Sequence, residues 1–148
     1  MPIYEESLRS ELLVQEIENE LRAENPNFPV IRLVRGPYKY WEGDIKYIPD
    51  INTICIFIGH DLLKSFNIKE FKIFVLHALG HFQEGHLNMS PNVLFLDSFE
   101  EKILKEIKAD AFAIKKKADK KVLVAMIKKL GFNEHEIKYR IQAISQAD

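Results

Sequence analysis

Cysteine is nearly absent: Cys55 is the one thiol in 148 residues. A lone thiol builds no disulfide framework and no cysteine-based zinc knuckle, and it fits a reducing compartment. An excess of one charge is missing too. The formal net charge is −1, so no global field draws the chain to nucleic acid or to a membrane surface. No apolar run approaches the roughly 20 residues that cross a bilayer. The opening MPIYEESLRSE is acidic and polar, unlike a secretory leader. What remains is a globular mixture, 47% hydrophobic and 29% charged. Its length predicts one domain, residues 1–148, with enough chain for a real core. The expectation is a cytoplasmic protein with no nucleic-acid partner and no membrane partner.

Local patterns divide the chain into a mixed front and a helical back. Leu13, Ile17 and Leu21 recur at helical steps, which predicts a helix over 5–24 that NPNFP ends. VIRLVR (30–35) reads as a strand, YKYW (38–41) and DIKYI (44–48) as a hairpin, and NTICIFI (52–58) as the most strand-like piece. After Gly59 the pattern becomes helical. DLLKSF predicts a single short helix, and Asn67 with Glu70 predicts a capping box that starts a helix over about 68–86. Asp97 with Glu100 opens another over about 98–117. A third, in ADKKVLVAMIKKLG, closes at Gly131, and Asn133 with Glu136 begins the last. The basic run KKKADKK (115–121) is expected to be a solvated helix face. The fold class expected is α+β.

The chemistry concentrates in HALGH (77–81) and EIKADAFA (106–113). Residues four apart on a helix lie one above the other, so His77 and His81 can aim two imidazoles at one point. Two histidines alone are common without function. Glu106 and Asp110 repeat the spacing on the next helix. Glu106 suits a third ligand, and Asp110, one turn on, suits a hydrogen bond that fixes a ligand histidine. The alternative is a salt-bridged, solvent-facing pair. Ala109, Ala111 and Ala113 favour close helix packing instead, as does Gly80, whose cost in a helix calls for another element close by.

These motifs resemble a known family. HALGHFQEGH is similar to the H-E-L-G-H-x-x-x-x-H of gluzincin metallopeptidases, and EIKADAFA is similar to their E-x-x-A-D-x-x-A. The resemblance is closest to the compact minigluzincins and to the catalytic domains of HtpX-like and CAAX-prenyl-protease-like enzymes. It covers about residues 50–118. It implies a zincin-like single domain, with a small twisted sheet packed on an active-site helix and a ligand helix. It implies Zn2+ held by His77, His81 and Glu106, with Asp110 supporting a ligand. His86 matches the family's trailing histidine, with a structural or ligand-supporting role. His86 as a ligand fits poorly, since in H-x-x-x-H-x-x-G-x-x-H sites the third histidine would fall at Leu87 and a glycine at Glu84. The family's cleft strand corresponds to Thr53, Ile54, Cys55, Ile56, Phe57 and Ile58, to which an extended peptide would add as a strand. An interior strand is the other reading of that apolar segment. His60, His135, Tyr139 and Arg140 are oxyanion-stabilising candidates by chemistry alone.

One residue departs from the pattern. Ala78 stands where the family has the glutamate that takes a proton from the zinc-activated water and returns it to the leaving amine. The expected parent activity is zinc-dependent endopeptidase action on peptide or protein substrates, absent from this chain because Ala78 carries no base. Either a glutamate was deliberately replaced, or the chain is a natural peptide-binding or regulatory pseudopeptidase. Residues 119–148 are expected to be structural helices or a terminal segment that keeps the site latent, in which case the protein would also engage itself.

Overall fold

The computed structural model describes residues 2–36, 44–85, 99–130 and 133–147, with the backbone alone at 2–8, 44 and 99. They form two compact units, residues 1–72 and 73–148, described here in turn.

The first unit opens with helix α1 (Pro2–Glu24). Val14, Ile17 and Leu21 are its buried apolar residues. Val14 takes the place expected for Leu13, which is half-buried. Pro26 lacks the N–H a further turn would need, and the chain instead turns back through Phe28 N–H to Asn25 O at 2.9 Å. Three strands follow: β1 (Val30–Gly36), β2 (Asp44–Ile48) and β3 (Thr53–Gly59). Their order is β1-β3-β2, with β1 parallel and β2 antiparallel to β3. A 3-10 turn (Pro49–Ile51) joins β2 to β3. The expected strand at 38–41 lies outside the described residues. Buried Glu18 on α1 accepts Ile31 N–H of β1 at 2.7 Å, so a carboxylate satisfies a donor on an edge strand.

Of the two readings of β3, a strand bordering a cleft or an interior strand, the sheet order fits the interior one. All seven β3 residues pair with β1, and Thr53 to Phe57 also pair with β2. Over Thr53 to Phe57 the main-chain groups are used on both sides, which leaves a peptide no edge to join along that stretch. Burial explains the position: Ile54, Ile56 and Ile58 are fully buried, and a near-continuous apolar run suits the middle of a sheet.

The short helix α2 (His60–Ser65) leads to α3 (Ile68–Gln83). The capping box at its start is reciprocal: Asn67 N–H donates to Glu70 Oε1 at 2.9 Å, and Glu70 N–H to Asn67 Oδ1 at 2.8 Å. α3 stops at Gln83, short of 86, because Gly85 takes a left-handed conformation with φ +76.

The second unit holds the rest of α3 with α4 (Phe99–Lys115), α5 (Lys120–Lys129) and α6 (Glu134–Gln146). The Asp119 side chain caps α5 through Lys121 and Val122 N–H. Asn133 caps α6 through His135 and Glu136 N–H. Leu123, Met126, Ile127 and Ile144 are buried, so both carboxyl-terminal helices contribute apolar surface to the interior of this unit. Among the described residues, no helix is long and apolar enough to cross a membrane.

Candidate metal centre

The centre lies wholly within the second unit. His77 and His81 stand one turn apart on α3, and Glu106 and Asp110 one turn apart on α4. Gly80 lets the two helices approach. A Cβ there would fall 2.8 Å from both Cα and O of Ala109, and 3.0 Å from Cβ of Phe112. Helix backbones in contact at this point leave no room for even a methyl group, which offsets the ~1 kcal/mol that glycine costs in a helix.

His77 Nε2 lies 2.8 Å from Glu106 Oε2 and 3.2 Å from His81 Nε2. His81 Nε2 lies 3.4 Å from Glu106 Oε1. The two imidazoles therefore aim the same nitrogen at one carboxylate, with their planes at 90°. On the far side of the His77 ring, Nδ1 donates to Asp110 Oδ1 at 2.8 Å. An ionised carboxylate only accepts, so this bond keeps a proton on Nδ1. Neutral His77 consequently turns a lone pair toward Glu106 and His81. Lone pairs crowded at such distances repel unless His77 is protonated or a cation stands among them. Glu106 Oε2 registers the same tension: it is a buried atom with no hydrogen-bond partner, although Nε2 is 2.8 Å away. Among the described residues, His77, His81 and Glu106 are the group whose ligand atoms could hold a metal ion, all within 4.8 Å of one another.

Behind Asp110 stands Arg140 of α6, fully buried. Its Nε donates to Asp110 Oδ2 at 2.9 Å and its Nη2 to Oδ1 at 2.8 Å. Its Nη1 donates to Glu136 Oε2 at 3.2 Å and lies 3.5 Å from Glu106 Oε2. Three carboxylates against one guanidinium leave two negative charges when both imidazoles are neutral. A divalent cation would bring that cluster to zero.

The titration behaviour follows from these contacts. Burial disfavours charge on His77, but Glu106 and then Asp110 outweigh it and raise its pKa to about 9. Burial pushes Glu106 upward, yet His77 and His81 hold it well below the ordinary glutamate value. Asp110 is likewise lowered, against burial, by His77 and Arg140. Glu136 moves the other way, raised by burial and by the neighbouring Glu106 charge.

The fold thus brings together His77, His81, Glu106 and Asp110, all four read from the sequence. Ala78 is buried at 6% exposure. His86 lies outside the described residues. Thr53 to Ile58 form the interior strand of the other unit. His60, in the first unit, is exposed, as are His135 and Tyr139 on α6. Arg140 does reach the site, but its guanidinium is engaged by Asp110 and Glu136. Sequence reasoning missed this salt-bridge layer. It took Glu136 as a capping-box partner, whereas the Glu136 carboxylate turns to Arg140. A signal was available: Arg140 falls four residues before buried Ile144, on the apolar stripe of α6. A cation on such a stripe needs a buried acid. No protein-family model, no curated protein and no solved structure matches the chain.

Proposed function

We propose that His77, His81 and Glu106 hold a zinc ion, and that the chain is a gluzincin-type endopeptidase domain whose proton-transfer position is filled by Ala78. One observation carries the reading: two Nε2 atoms 3.2 Å apart converge on a carboxylate while Nδ1 of His77 is occupied by Asp110. Two nitrogens bound to tetrahedral zinc at roughly 2.0–2.1 Å stand about 3.3 Å apart. Two imidazoles and a carboxylate also form a donor set that zinc accepts with one position left open. Bound zinc supplies Lewis acidity toward a peptide carbonyl and lowers the pKa of water. The chain's own residues do the rest. Asp110 fixes the His77 tautomer, Arg140 balances charge, and the Ala78 methyl can neither take nor return a proton. The present chain is therefore expected to bind zinc and cleave nothing. Its substrate class is peptides or proteins, itself included. The lone, buried Cys55 suits a reducing, cytoplasmic setting.

The burial of Ala78 favours a second reading, in which alanine belongs at this place and the domain binds peptides without cutting them. Metal content does not separate the two, but it tests what they share. One zinc per chain is expected after dialysis against trace zinc, with most of it lost in His81→Ala and weaker retention in Glu106→Gln. Elemental analysis alongside circular dichroism gives the answer. A folded, unsubstituted chain without metal would remove the zinc reading in both forms.

A further inference from the structure

We infer that Arg140 is a positioning residue for the metal centre, acting from α6 through Asp110 on the tautomer and orientation of His77. The inference rests on the zinc reading above and extends it to a helix that supplies no ligand. Asp110 Oδ1 is shared between His77 Nδ1 and Arg140 Nη2, each at 2.8 Å, and Oδ2 is held by Arg140 Nε at 2.9 Å. The planar fork therefore sets the plane of the carboxylate as well as its charge. A carboxylate free to rotate could turn Oδ1 away from the imidazole. Nδ1 would lose its acceptor, and the ring proton could move to Nε2. That proton would then cover the nitrogen that faces Glu106 and His81. Arg140 prevents this by fixing both oxygens at once.

Glu136 fixes the fork in turn. It lies one turn before Arg140 on the same helix and accepts from Nη1 at 3.2 Å. The same Nη1 lies 3.5 Å from Glu106 Oε2, so one guanidinium borders the ligand carboxylate and the carboxylate that supports His77. Lysine in its place would offer a point charge and could not grip both oxygens in plane. Support of this kind behind a ligand histidine is typically worth about 10- to 100-fold in metal affinity.

The test uses the full chain with Arg140→Lys and Glu136→Gln. Zinc affinity is measured by competition with a chromophoric chelator. The chemical shift of the His77 Nδ1 proton, set by its bond to Asp110, is followed by NMR in the folded zinc-free protein, a readout that general stability does not move. Arg140→Lys is expected to weaken zinc binding about 10- to 100-fold and to move the resonance of that proton upfield as its bond to Asp110 loosens. Glu136→Gln, which leaves the guanidinium in place, is expected to shift both in the same direction by less. Unchanged affinity in Arg140→Lys, with the Nδ1 proton resonance unmoved, would overturn the inference. If the unsubstituted chain takes up no zinc, the metal reading fails, while the proton resonance still decides whether Arg140 positions His77. Should Arg140→Lys not fold, Glu136→Gln decides: an unaltered proton and affinity count against the positioning role.

Discussion

Ala78 sits beside His77, a proposed ligand, and its methyl can neither take nor return a proton. Ala78→Glu is expected to give chelator-sensitive cleavage of a fluorogenic peptide library, a gain of about a hundredfold to ten-thousandfold from acid–base catalysis. If the variant is folded and zinc-loaded yet inert, the peptide-binding reading takes over. Helix propensity predicts a cost of only a few tenths of a kcal/mol, but the fold adds another term. Ala78 is 6% exposed, so a new carboxylate there must find a partner. The metal-free variant is therefore expected to lose roughly 1–3 kcal/mol by urea unfolding, the usual order for burying an under-satisfied polar group. Much of the site at this scale was legible in the sequence, because HALGH and EIKAD place His77 and His81, and Glu106 and Asp110, at the four-residue spacing that a helix turns into proximity. The place of Arg140 on an apolar stripe was legible too, but its partner was not, because Asp110 lies 30 positions away and no local pattern joins them.

At the level of elements, the histidine helix and the carboxylate helix are set by backbone proximity at Gly80. Adding a methyl group in an isolated helix would gain up to about 1 kcal/mol. Here it would meet the Ala109 backbone at 2.8 Å, which has no rotamer to move. Gly80→Ala is thus expected to destabilise by a net of about 1–3 kcal/mol and to loosen metal binding by separating His81 from Glu106. Thermal unfolding and a zinc titration check the two effects, and a stabilised variant would contradict the close approach. The caps of α3 and α6 could be read in advance because Asn–x–x–Glu is local chemistry. The place of β3 within its sheet could not. Pairing partners are non-local, and an apolar strand reads the same whether one edge is free or both are taken.

For the molecule as a whole, the near-neutral sequence hides an uneven distribution of charge. The net charge is −1, whereas the buried cluster holds three carboxylates around one guanidinium. His77 has its folded pKa raised from 6.5 to about 9, so without metal its stabilising contribution is complete below 6.5 and is lost as pH rises through 9. Glu106 and Asp110, both lowered, contribute above the ordinary carboxylate range and lose that contribution on acidification. Zinc requires a neutral imidazole and so displaces the His77 proton. The stabilisation gained from a fixed zinc concentration should therefore grow between pH 6.5 and about pH 8, while the metal-free protein weakens over the same range. Differential scanning with and without zinc measures this. A zinc-induced rise in Tm that shrinks with pH would contradict the assignment of His77.

The fork of Arg140 on Asp110 also has a meaning in time. A ribosome makes His77 first and Arg140 last among the residues of the centre. Until the sixth helix has emerged, Asp110 has no guanidinium to hold it, and a nascent chain offers histidines whose tautomers are not yet chosen. If the centre takes up metal as proposed, capture at full affinity would wait for α6, the last-made part of the centre.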